Sequence, residues 1–122
     1  MRFVNGLAIR GLGGALLGAA VASIVPGSAT LAGQGGVTHR VLIEKFAFVP
    51  ETLSIEQGDT VEWINLDVAP HTATQDSGAW DTRNLAKGES AKVVFSSPGT
   101  ATYICVYHPH MRGRIVVSAA RR

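Results

Sequence analysis

Ala101-Thr102-Tyr103-Ile104-Cys105-Val106-Tyr107-His108-Pro109-His110-Met111, followed by Arg112-Gly113 and then Ile115-Val116-Val117-Ser118, is the stretch on which the reading of this chain turns. Its first part is rich in β-branched and aromatic residues, follows the turn-forming run Ser96-Ser97-Pro98-Gly99 and predicts a strand over Ala101–Val106. A last strand is expected after Gly113, at Ile115–Ser118. Between the two, Cys105, His108 and Met111 stand with two residues in each gap. On an extended strand, residues three apart face opposite sides, so a short loop is needed to turn all three toward one point.

Working toward the N-terminus, the same grammar repeats. Val41–Ile43 and Ala47–Val49 are interrupted by Glu44-Lys45 and closed by Pro50, and Leu53–Glu56 alternates apolar and polar before Gln57-Gly58-Asp59. Val61–Ile64 follows, and this strand is expected to lie beside Leu53–Glu56; Lys92–Phe95 precedes the turn at Ser96–Gly99. No segment has a sustained helical period, and there is no internal repeat. Seven to eight short strands in about 90 residues predict an all-β Greek-key β-sandwich. Trp63 and Tyr103 fall at its core positions, and the polar run Thr74–Ser90, with Gly78, Trp80 and Gly88, reads as a long loop or irregular edge.

The 122 residues allow one domain. Residues 1–32 read as a secretory signal: Arg2 and Arg10 without an acid, then a run from Gly11 to Val25 without charge, then the small residues Gly27, Ser28, Ala29 and Ala32. Cleavage is expected after Ala32, with Ala29 as the alternative, leaving residues 33–122 as the exported domain. The apolar run falls short of the roughly 20 residues that span a bilayer, so no stable membrane insertion is expected. Without an Arg pair ahead of it, the general secretory route is expected over the twin-arginine one. Of eleven basic and nine acidic residues, only Arg2 and Arg10 lie in the signal, so its removal takes the formal charge from +2 to zero. Arg112, Arg114, Arg121 and Arg122 are too few for a phosphate-tracking stripe, which excludes a nucleic-acid surface. Cys105 is the only cysteine, so no intramolecular disulfide is available, and a lone thiol in an oxidising compartment needs a cap or a metal.

Taken singly, Cys105 ending a strand would be a small buried hydrophobe, His71 a polar loop residue and Met111 core filler. Their joint occurrence points elsewhere. One thiolate, two imidazoles and a weak axial thioether make the His₂Cys copper site, and His71, after Pro70 and 34 residues before Cys105, can supply the second imidazole if two strand-end loops meet at one pole. His110 reads as exposed, and His39, in a stretch at the start of the exported chain that reads as disordered, is not read as a ligand.

Trp63-Ile64-Asn65, Pro70-His71, Pro98-Gly99-Thr100, Tyr103-x-Cys105-x₂-His108-Pro109-x-Met111 and Arg112-Gly113 together resemble the cupredoxins, the type 1 blue copper family, with a short ligand loop similar to that of the amicyanins. The resemblance covers Phe46 to Val117. It implies one copper ion held by His71, Cys105, His108 and Met111, with Asn65 tying the first ligand loop to the Cys105 strand. It further implies a periplasmic or otherwise exported monomer, not an enzyme, that carries single electrons between a donor and an acceptor docking transiently near His108. A copper-delivery or storage protein with the same ligands is the alternative. Two positions depart from the amicyanin pattern: Tyr107 stands where a proline precedes the C-terminal histidine, and His110 where an aromatic residue precedes the methionine.

Overall fold

The computed structural model describes residues 36–121; the expected signal segment lies outside them. Eight strands follow in order: β1 (Thr38–Glu44), β2 (Ala47–Val49), β3 (Thr52–Glu56), β4 (Thr60–Asn65), β5 (Thr74–Gln75), β6 (Ser90–Val94), β7 (Gly99–Cys105) and β8 (His108–Ser118). They form two four-stranded sheets, ordered β2-β1-β4-β6 and β3-β8-β7-β5. The all-β sandwich expected from the sequence is what the chain adopts. Strands alternate inward and outward, most cleanly in β4, where Val61, Trp63 and Asn65 are buried and Thr60, Glu62 and Ile64 only partly so.

The pairing departs from the expected neighbours at one place. Leu53–Glu56 and Val61–Ile64 are not side by side: β3 runs parallel to β8, while β4 runs parallel to β1 and antiparallel to β6. The Gln57-Gly58-Asp59 turn crosses from one sheet to the other, which lets both strands point an apolar face into the same core. The crossing is held by Gln57 N–H donating to Ser118 O (2.7 Å) and Gly58 N–H donating to Phe95 O (2.7 Å), with Gly58 at φ +96°. Asp59 closes it from inside: its carboxylate accepts the N–H groups of Val37 (2.9 Å) and Glu56 (3.0 Å) and lies 2.8 Å from His39 Nε2.

The last strand is longer than expected. It begins at His108 rather than Ile115, because its first half pairs antiparallel with β7 across the Val106-Tyr107 turn, while β3 joins as a second, parallel partner only from Arg114. Pro109 and Gly113, poor strand formers, hide this in the sequence. Gly113 has a packing reason: a Cβ there would stand 2.3 Å from Tyr103 Cζ.

Trp63 and Tyr103 are fully buried, as expected. Trp80, from the segment read as loop or edge, folds back onto them, its ring 5.1 Å from Trp63 and 5.6 Å from Tyr103. That segment is an edge rather than a free loop, carrying β5 and the bridges His71↔Leu85 and Thr74↔Asp81.

Candidate metal centre

β4 ends at Asn65, and the chain loops through Leu66–Pro70 to His71. The buried Asn65 side chain shapes that loop: Nδ2 donates to Ala69 O (2.9 Å) and Leu85 O (2.8 Å), and Oδ1 accepts Asp67 N–H (2.9 Å). His71 then exchanges backbone hydrogen bonds with Leu85 in both directions, at 3.1 and 2.8 Å. These bonds fasten the His71 loop to the Leu85 segment, not to the Cys105 strand that Asn65 was expected to reach. Thr72 makes that link. Its N–H donates to Cys105 Sγ (3.3 Å) and its Oγ1 accepts Val106 N–H (2.9 Å). Nothing in the spacing of the sequence marks Thr72; its role comes from lying opposite Cys105 when the two loops close.

Cys105 and His108 meet across the short loop between them. Val106 and Tyr107 form a tight turn that makes Cys105 and His108 a cross-strand pair. Paired residues of an antiparallel hairpin point to the same face. The next pair is Ile104↔Arg112, so Pro109, His110 and Met111 bulge out of register. The bulge leaves Pro109 and His110 exposed and turns Met111 inward, where it is 2% exposed. His110 is thus exposed, as expected. Tyr107, in the position of the amicyanin proline, is tethered by its hydroxyl to Asn84 Oδ1 (2.9 Å), an external brace where a proline ring would act internally.

The ligating atoms of His71, Cys105 and His108 lie within 4.8 Å of one another. Cys105 Sγ is 3.7 Å from His71 Nδ1 and 3.6 Å from His108 Nδ1. His71 and Cys105 are fully buried, and His108 is partly exposed.

Two further residues shape the site and carried no signal in the sequence. Asp67, four residues before His71, lies with Oδ2 2.8 Å from His71 Nε2. The same carboxylate accepts the N–H groups of Lys45 (2.8 Å) and Phe46 (3.0 Å) at the β1–β2 turn. Burial works against ionisation of Asp67, but the N–H groups of Phe46 and Lys45 and the His71 contact outweigh it and hold the carboxyl below its ordinary value. Phe46 presses edge-on against both histidine rings, 5.0 Å from His71 and 4.9 Å from His108.

The donor set fits a first-row metal ion. A sulfur about 2.3 Å and a nitrogen about 2.0–2.1 Å from a common ion, at 120°, stand about 3.7 Å apart, which matches both Sγ–Nδ1 separations here. A thiolate with two imidazoles is soft enough for copper, and a methionine thioether is the usual weak fourth partner; Met111, buried and three residues after His108, is the candidate for that place. A two-sheet sandwich that gathers this set where two strand-end loops meet defines the cupredoxins, the type 1 copper proteins.

Residues 36–118 match the model of the copper-binding plastocyanin/azurin family, and the chain belongs to it. It resembles amicyanin in particular. The amicyanin of Paracoccus denitrificans is 33% identical over 117 residues, covering 91% of this chain and 88% of that one. The amicyanin of Paracoccus versutus is 31% identical over 80 residues, with 62% of this chain matched to 61% of the length of that relative. Among solved structures, a reduced Cu(I) form of an amicyanin mutant superimposes with a TM-score of 0.64 at 30% identity, over 66% of this chain and 82% of that one.

Proposed function

We propose that His71, Cys105 and His108, with Met111 as a weak axial thioether, hold one copper ion, and that the chain carries single electrons between a protein donor and a protein acceptor outside the cytoplasm. The observation that carries this reading is the preformed triangle of one sulfur and two Nδ1 atoms, with two of its three residues fully buried. Bound copper would supply the one-electron couple, Cu(I)/Cu(II). The protein's part is to keep the donors still, because ligand movement raises the barrier to electron transfer. Thr72 holds Cys105 from one side, Asn65 and Leu85 hold the His71 loop, and Tyr107 is tethered to Asn84.

Of these three donor residues His108 alone is open to solvent; the exposed side chains of Phe46 and Tyr107 lie by its ring and exposed Val106 shares its turn, while Leu66 and Val68 are exposed on the loop that leads to His71. A small apolar patch around a partly exposed histidine suits brief docking and quick release. The buried and anchored His71 favours retention of the ion over its delivery. Export through the signal at residues 1–32 belongs to the same reading and lies outside the described residues.

Purified protein loaded with Cu(II) is expected to show an intense blue thiolate-to-copper band that Cys105→Ser abolishes. Reduction and reoxidation should return the band with copper retained in the presence of a chelator. A Cys105→Ser protein that keeps the band, or a wild type that surrenders its copper on each reduction, refutes the proposal.

A further inference from the structure

We propose that Asp67 is the positioning residue for the first histidine ligand: it fixes the proton of His71 on Nε2, aims Nδ1 at the metal position, and at the same time holds Phe46 across both histidine rings. The inference rests on the reading of His71 as a copper ligand. A carboxylate only accepts hydrogen bonds, so the 2.8 Å contact between Asp67 Oδ2 and His71 Nε2 places the imidazole proton on Nε2. The opposite nitrogen, Nδ1, then presents its lone pair toward Cys105 Sγ. A carboxylate behind a ligating histidine also makes it a stronger donor.

The second half of the inference comes from the β1–β2 turn. Lys45 and Phe46 both have positive φ, 54° and 56°, although neither is Gly or Asn. Such a two-residue turn is a strained choice for side chains of this size, and it persists only where its surroundings over-determine it. Asp67 supplies that determination by accepting the N–H of each of the two residues. The consequence is the placement of Phe46, edge-on to His71 and His108 and covering the donors from the solvent side. One side chain therefore orients one ligand and seats the aromatic cover over two.

The test uses Asp67→Asn and Asp67→Ala in the full exported domain. In metal-free wild type, long-range ¹H–¹⁵N spectra should show His71 as the Nε2–H tautomer; in Asp67→Ala that preference should be lost. Asp67→Asn can keep one oxygen facing His71 but removes the charge. Its Cu(II) affinity should fall about 10–100-fold, as for other partners of metal-bound histidines, with a smaller loss for Cu(I). Each tenfold difference between the two losses raises the reduction potential by about 59 mV. A blue wild type whose Asp67→Asn variant keeps affinity and potential unchanged, or whose Asp67→Ala variant keeps the tautomer, overturns the proposal, even if either variant is less stable. If Asp67→Ala does not fold, Asp67→Asn decides alone. A wild type with no blue band sinks the ligand reading instead, while the tautomer of the metal-free protein still reports on Asp67.

Discussion

Thr72→Val removes one oxygen from the link between the two ligand loops and leaves the shape almost unchanged. Thr72 is 2% exposed, and its Oγ1 accepts Val106 N–H at 2.9 Å and lies 3.0 Å from Thr74 Oγ1. Thr74 keeps another partner, Asp81, at 2.9 Å, whereas Thr72 Oγ1 is the acceptor of Val106 N–H, which makes no further hydrogen bond among the described residues. The variant therefore strands one part-buried donor, which costs about 1–3 kcal/mol. For a domain of this size each kcal/mol lowers the melting temperature by about 4–8 °C. Thermal and urea unfolding of the metal-free variant should show that loss, and Val106 N–H should exchange faster with solvent. Thr72→Ser keeps the oxygen and gives up a methyl worth about 0.8 kcal/mol, so it should retain Val106 protection. The backbone bond from Thr72 N–H to Cys105 Sγ survives in both variants, so the blue band should persist. A Thr72→Val protein as stable as wild type, with Val106 protection intact, would refute the role given to this side chain.

Gly113→Ala would drive a methyl into the ring carbons and hydroxyl oxygen of Tyr103, a ring walled in by Phe48, Trp63 and Trp80. Overpacking of this kind costs about 1–3 kcal/mol or more. Tyr103→Phe should rescue it only in part, because the carbon clash remains; full rescue in a double-mutant cycle would contradict the geometry. Acid should weaken the fold through Asp59, where burial opposes ionisation but His39 and the N–H groups of Glu56 and Val37 prevail and hold the carboxyl below its ordinary 3.8. A depressed folded value stabilises above pH 3.8 and loses that contribution as pH falls through the lower folded value. Urea midpoints measured from pH 6 downward should fall less steeply in Asp59→Asn; an unchanged slope removes Asp59 from the account.

Much of the fold was legible because the period-two alternation of a half-buried strand is a local property, visible in Leu53–Glu56 or Val61–Ile64 without knowing the partner strand. The partner was not legible, since either sheet offers an equally apolar inner face: hence the failed pairing of those two strands, separated by the crossing at Gln57–Asp59. The proposed ligands could be read because thiolate, imidazole and thioether are scarce side chains whose joint presence demands a chemical reason. Their supports could not. Thr72, Asp67 and Phe46 are common residue types, and Asn65 matched a family position yet makes its bonds elsewhere.

By itself the sequence determined the all-β class, the candidate set His71, Cys105, His108 and Met111 and the resemblance to the cupredoxins, all of which depend on residue chemistry and short-range pattern. Only the tertiary structure decided that Cys105 and His108 converge as a cross-strand pair with a three-residue bulge behind them. It alone brought Thr72 against the sulfur and joined His71, Asp67 and the Lys45–Phe46 turn into one unit. Apart from the His71–Asp67 contact, four positions apart, these hydrogen bonds join residues more than twenty positions apart and exist only once the strands have paired. Their partners are chosen by geometry that no local pattern encodes.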